Sequence, residues 1–239
     1  QGDAPGDGAA VWGCAVEAVR DVELAAGSCR PGAEVQFQVA KLSPCGYAVI
    51  FFWMRICSRR DMNFKILDNK SKDEVTTLFT SVFSSSEGEK EGALIGGLAC
   101  ALAARIDNQE VVCMGAYAEG DLLGVIFFTR LRFDEPIDAY MLSPVAVSTS
   151  HQGQGTGRAL IRFGLEELKD RSVGLVVTYG DPAFYSKIGF RALSEEVIRA
   201  PHPLSMSEGW LGQSLSGEDI PIQKCRPACV QEFADPAFW

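Results

Sequence analysis

The stretch from Leu142 to Arg158 constrains the fold more than any other part of the sequence. Leu142-Ser143-Pro144-Val145-Ala146-Val147 reads as the end of a buried strand that starts near Ile137. A proline cannot donate to a ladder, so the strand must bulge or lose its neighbour at Pro144. His151-Gln152-Gly153-Gln154-Gly155-Thr156-Gly157-Arg158 follows, and a helix from about Thr156 to Lys169 places Leu160, Ile161, Gly164, Leu165 and Leu168 on one face. The first turn of a helix presents unpaired amides and the positive end of its dipole, and glycines let the backbone close on an anion. This element is built for a phosphate or pyrophosphate.

Three phosphate-binding patterns compete for it. A P-loop needs GxxxxGK[ST], and no Lys-Ser or Lys-Thr follows Gly157. A dinucleotide fold needs GxGxxG, but the third position is Arg158 counted from Gly153 and Leu160 counted from Gly155. The pattern that fits is Q-x-x-G-x-G at Gln152, Gly155 and Gly157.

Upstream, Asn63 to Leu67 is a short strand, and Ser71 with Glu74 has the spacing of a capping box. Val75, Leu78, Phe79, Val82 and Phe83 predict one buried helical face. Ser84 to Gly92 reads as a polar break before a second helix, weakened by Gly96-Gly97, that ends near Ala104. Val111 to Ala118 and Leu122 to Phe133 form a hairpin over Glu119-Gly120-Asp121. Val173 to Tyr179 is a buried strand, and Asp181-Pro182 opens a short helix. Weaker strand signals lie at Val197 to Arg199 and Trp210 to Leu215. The boundary of this domain, residues 62–239, is placed near 61. Residues 1–61 form an N-terminal extension with two readings: a helix from Ala9 to Ala26 plus a hairpin over Ser43 to Gly46, or an unordered segment.

The net charge of −9 disfavours nucleic acid, which needs clustered Lys and Arg, and favours a cationic or amine substrate. Eight cysteines and two histidines occur without a CxxC pair, so no metal is expected. Cys100 and Cys113 read as buried thiols; Cys225 and Cys229 either bridge locally or stay free. The longest apolar run, Tyr47 to Met54, is far short of the roughly 20 residues that span a bilayer. With no secretory pattern visible, a cytoplasmic protein is expected.

Gln152, Gly155 and Gly157 resemble the acetyl-CoA pyrophosphate loop of the GNAT N-acetyltransferase superfamily. Gly180-Asp181-Pro182-Ala183-Phe184-Tyr185-Ser186-Lys187-Ile188-Gly189-Phe190 ends in Y-x-x-x-G-F, which resembles that superfamily's last shared motif. Together with the GWLGQSL segment and the DPAFW tail, it looks like the YhbS-like group of predicted N-acetyltransferases. The resemblance covers about residues 62–239; it is strong from 138 to 190 and loose elsewhere.

It implies an α/β (α+β) GNAT fold: a mixed, mostly antiparallel, twisted sheet flanked by helices. It implies acetyl-CoA as cosubstrate and transfer of its acetyl group to the primary amine of a small molecule. Pro144 would sit where its strand splays from the next, and backbone groups of Val145, Ala146 and Val147 would pair with pantetheine. Amides of Gln152, Gly153, Gln154, Gly155, Thr156, Gly157 and Arg158 would hold the pyrophosphate. A neutral amine would attack the thioester carbonyl, and a strand amide near Val147 would stabilise the oxyanion. Tyr185, a cofactor contact, matches the position that protonates the leaving thiolate.

Plainer readings stand beside these. Tyr185 could only pack, and the Arg158 side chain could be solvated. Asp181 reads as a helix cap, and His151 and His202 as loop residues. The glutamate that many superfamily members carry on the fourth strand falls at Met141, between Tyr140 and Leu142, and the asparagine after the fifth strand falls at Thr178. A water chain, Glu135, Asp138 or an amine arriving neutral would have to replace the base. The acceptor pocket would be lined by Ser84 to Gly96 and Ile198 to Gly209. Two other functions stay open: transfer from another acyl-CoA or to a protein amine, and an acyl-CoA-binding regulatory module without turnover. No nucleic acid or membrane partner is expected, and a homodimer is left open.

Overall fold

The computed structural model describes residues 62–135 and 137–239; the helix and hairpin readings within residues 1–61 lie outside the described residues. The elements are β1 (Asn63–Ile66), α1 (Lys72–Glu87), α2 (Glu89–Ala104), β2 (Val111–Ala118), β3 (Asp121–Leu131), β4 (Ala139–Val147), α3 (Thr156–Asp170), β5 (Leu175–Tyr179), α4 (Pro182–Tyr185), β6 (Arg191–Ala192) and β7 (Trp210–Ser214). Among the described residues the strands form one sheet in the order β1-β2-β3-β4-β5-β7-β6. Every pairing is antiparallel except β4 with β5. This is the mixed, mostly antiparallel sheet the sequence predicts.

Near-continuous burial along β2, β3 and β4 means that both faces of the sheet are covered. Val75, Phe79 and Val82 of α1, Ile95 and Leu102 of α2, and Phe233 and Trp239 near the C-terminus fill one face. Leu160, Ile161, Leu165 and Leu168 of α3 fill the other, with Tyr185 and Phe190. The expected inner faces of α1 and α3 are the buried ones.

β4 changes which face its side chains serve. Ala139 and Met141 pack on the α1/α2 side, Tyr140 and Leu142 on the α3 side. Ile126 then pairs with Val145 and Phe128 with Leu142, so Ser143 and Pro144 together oppose Phe127. This bulge adds one residue and inverts the alternation. Val145 therefore joins the α3 side and Ala146 the α1/α2 side.

Several local expectations are corrected. The Ser71–Glu74 capping box does not form. Ser71 ends a 3-10 turn, makes no capping bond, and Glu74 instead accepts the Tyr117 hydroxyl at 2.7 Å. The polar break from Ser84 to Gly92 shrinks to Gly88. Ser85 and Ser86 donate to the Ser81 and Val82 carbonyls and continue the helix instead of competing with it. The Val197 to Arg199 signal yields only an isolated bridge between Ile198 and Gln223, and the short β6 had no sequence signal. Cys113 is buried, Cys100 is partly exposed, and Cys225 and Cys229 are both free thiols.

Glycine brings α1 and α2 into contact. A Cβ on Gly92 would lie 1.9 Å from Ser84 Oγ and 2.7 Å and 2.9 Å from its backbone N and Cα. Gly97 has nothing within 4 Å of the same point. Gly97→Ala should therefore gain helix propensity, up to about 1 kcal/mol. Gly92→Ala should lose about 1–2 kcal/mol net, because overpacking against backbone outweighs that gain. Urea denaturation of the two variants checks this; a Gly92→Ala midpoint at or above wild type would mean the helices separate without cost.

Candidate functional site: a strand wedge beside a glycine loop

The parallel ladder between β4 and β5 runs from Ala139↔Leu175 to Leu142↔Thr178 and stops. Tyr179 continues only with Trp210 of β7, and β4 continues to Val147 only with β3. The edge of Val145, Ala146 and Val147 that faces β5 thus has no strand partner among the described residues. The sequence places this splay at Pro144, and the structure puts it there. At the apex the Thr178 hydroxyl donates to the Leu142 carbonyl at 2.9 Å and closes the last rung.

Tyr185 reaches the same apex from α4. Asp181 caps that helix, accepting from the Ala183 amide at 2.8 Å, as the cap reading expects. The Tyr185 ring stands edge-on to Phe184 and Phe190, with centroids 5.1 Å and 5.6 Å away. Burial pushes the Tyr185 pKa up to about 12; the nearby Thr178 hydroxyl works against the rise and the Asp181 charge adds to it. The phenol therefore keeps its proton at neutral pH.

The glycine loop leaves the open end of the wedge. Gly153 and Gly155 have φ of +72° and +85°, a left-handed backbone that glycine adopts without a Cβ penalty. The loop's side chains turn inward: Gln152 donates to the Val147 carbonyl at 2.9 Å, and Gln154 to the Ser150 carbonyl at 2.9 Å. The motif glutamine thus ties the loop to the end of β4. Among the described residues, no side chain accepts from the backbone amides of Gln152 through Arg158, and those of Thr156 to Arg158 open α3. Thr156 is buried, Gly155 and Gly157 are half-buried, and Gly153, Gln154 and Arg158 are exposed. The structure gathers Val145–Val147 and the loop at one end of β4 and puts Tyr185 at the apex. Strand edge, amides and dipole fit an extended ligand with a pyrophosphate.

On the other face, the Tyr179 hydroxyl lies 2.8 Å from Ser205 Oγ and accepts from the Met206 amide, while Gly180 N donates to Gly209 O. The end of the 198–209 segment is therefore pinned at the tip of β5, beside the wedge. Met141 is 1% exposed. Asp138 is paired with Arg130 at 2.9 Å and lies four residues before Leu142, about 13 Å down the strand, so it does not stand at the wedge. His202 packs against Trp239. No group of three or more metal-ligating side chains is present among the described residues.

Sequence reasoning did not single out Glu87. Burial, aided by the charge of Glu91, raises its pKa to about 7. The Oε1 atoms of Glu87 and Glu91 are both buried without a hydrogen-bond partner among the described residues. The available signal was two glutamates four apart across a helix-breaking glycine, in a segment already assigned to the acceptor side.

The acetyltransferase (GNAT) domain family matches residues 99–192. An Escherichia coli protein named an uncharacterized N-acetyltransferase, YjhQ, is 29% identical over 165 residues, which is 66% of this chain and 87% of that protein. A second, YhbS, is 34% identical over 86 residues, covering 36% of this chain and 52% of its own. The crystal structure of Escherichia coli YhbS in complex with CoA superposes with a TM-score of 0.60 at 22% identity, over 73% of this chain and 92% of that one. A GNAT family acetyltransferase from Brucella melitensis in complex with acetyl-CoA gives 0.53 at 23% identity, over 75% and 99%. Family model, relatives and fold agree on a GNAT-type acetyltransferase domain within this chain, matched at residues 99–192, with YhbS-like N-acetyltransferases among the proteins it is similar to.

Proposed function

We propose that the protein transfers the acetyl group of acetyl-CoA to the primary amine of a small molecule. The observation that carries this reading is the wedge: a β4 edge freed after Leu142, continuous with a glycine loop that opens α3. Pantetheine adds as a partial strand along Val145, Ala146 and Val147. The amides from Gln152 to Arg158 and the α3 dipole hold the pyrophosphate. A strand amide near Val147 stabilises charge on the thioester oxygen. The amine nitrogen bonds to the carbonyl carbon, the C–S bond breaks, and Tyr185 gives its proton to sulfur. Residues 62–239 form the acetyltransferase domain and 1–61 its extension; a cytoplasmic setting belongs to the same proposal.

Glu87 is the carboxylate suited to take the amine's proton. A base with a pKa near 7 is half deprotonated at neutral pH and still a useful acceptor. Paired with Glu91 and a net charge of −9, it favours a cationic acceptor.

Calorimetry should show CoA binding and no comparable binding of ATP or NAD. Gly155→Val, which forces a β-branched residue into a left-handed backbone, should weaken CoA at least about tenfold. Failure of CoA to bind the wild type would overturn the reading of the wedge.

Thiol release from acetyl-CoA over a panel of amines tests turnover. Tyr185→Phe should lower kcat by about 100-fold with little change in the KM for acetyl-CoA. Tight CoA binding with no turnover on any amine would favour a binding module instead.

The rate should rise with pH through about 7 as Glu87 loses its proton, and Glu87→Gln should remove that limb. The same raised pKa favours the folded state below about 4.5 and loses that contribution as pH rises through about 7. Glu87→Gln should therefore raise Tm more at pH 8 than at pH 5.

A further inference from the structure

We propose that Gly180 is the positioning residue for Tyr185: its bare backbone seats the edge of the Tyr185 ring and so sets where the phenol stands. This rests on the reading of Tyr185 as the proton donor. Gly180 is buried one residue beyond β5, at the side of the wedge. A Cβ built on it would lie 2.7 Å from Tyr185 Cε2, 3.5 Å from Cδ2 and 3.6 Å from Cζ. Its φ is not positive, so the turn itself would accept a side chain; the ring is what excludes one.

Neither partner gives way cheaply. On one side, the Gly180 amide donates to the Gly209 carbonyl at 2.9 Å. A Cβ on Gly209 would lie 3.3 Å from the Gly180 carbonyl oxygen and 3.0 Å from Tyr179 Cε2, so these two segments already pack backbone against backbone. On the other side, the Tyr185 amide donates to the Asp181 carbonyl at 3.1 Å, and the Tyr185 carbonyl accepts from the Phe190 amide at 3.3 Å. The ring itself is held edge-on by Phe184 and Phe190. An ordinary carbon–carbon contact is about 3.5 Å or more, so a methyl group on Gly180 moves the ring by roughly 1 Å. Proton transfer needs the donor within hydrogen-bond reach of sulfur, and a misplacement of about 1 Å can cost about 100-fold in rate. In the same reading the cofactor is seated on the β4 edge and the glycine loop, which are other elements, so the loss falls on kcat.

The rival role is ordinary packing at the tip of β5. Gly180→Ala should lower kcat about 10- to 100-fold, with the KM for acetyl-CoA and the Kd for CoA changed less than about twofold. In the Tyr185→Phe background the same substitution should change kcat less than about twofold, because the proton it positions is gone. An undiminished effect there would assign Gly180 to packing and sink the proposal, as would an unchanged kcat in the single variant. A second readout needs no turnover. Gly180→Ala should lower the urea midpoint in the wild-type background and leave it in place in Tyr185→Leu, where the ring edge is gone. Should Gly180→Ala alone not fold, Gly180→Ala with Tyr185→Leu should still fold; its failure to fold where Tyr185→Leu folds would overturn the proposal. A Tyr185→Phe variant with wild-type kcat would instead count against the proton-donor role itself, while the stability coupling would still report the contact.

Discussion

Parallel pairing of β4 with β5 ends at Leu142 and Thr178 because neither strand can continue it. On β4 the next residues are the bulged Ser143 and Pro144, and proline has no N–H to give. On β5 only Tyr179 remains before the chain turns through Gly180 into α4. Backbone groups past that point must find other partners. The Thr178 hydroxyl takes the Leu142 carbonyl, and the Gln152 amide takes the Val147 carbonyl. The edge of Val145 to Val147 that faces β5 keeps no strand partner among the described residues. Position and chemistry of the candidate site both follow from one interrupted ladder.

The same interruption sorts the two faces of the sheet. A single extra residue at Ser143–Pro144 inverts the alternation, so Val145 packs with the α3 side although Met141 packs with the α1/α2 side. α3 enters beside Val147 and brings its amides to the open end of the wedge. The opposite face carries α1, α2 and the C-terminal segments, tied down where Tyr179 holds Ser205 and Met206.

What could be read from the sequence was whatever repeats with the period of its element or depends on a backbone constraint. The inner faces of α1 and α3, the Glu119-Gly120 turn, the splay at Pro144 and the Asp181 cap are of this kind. Failures came where a side chain had two partners to choose between. Ser71 and Glu74 have capping-box spacing, but Tyr117 from the neighbouring strand competes for Glu74 and wins. Ser85 and Ser86 look like breakers until their hydroxyls bond back along the helix. Glu87 is unremarkable until the packing of α2 on α1 removes water from it and brings Glu91 near. The Gln152 side chain ties the loop to the Val147 carbonyl, a bond that its place in the motif does not show.

The absence of a carboxylate at Met141 has a consequence for proton flow. Met141 is 1% exposed among apolar neighbours, so nothing at that position exchanges protons with water. Of the groups with perturbed acidity, the proposed reaction uses Glu87, near 7, and Tyr185, near 12. At neutral pH Tyr185 is protonated and can only give, whereas about half of Glu87 is ionised and can take. In the proposed reaction, proton transfer from Tyr185 accompanies the build-up of charge on sulfur as the C–S bond breaks.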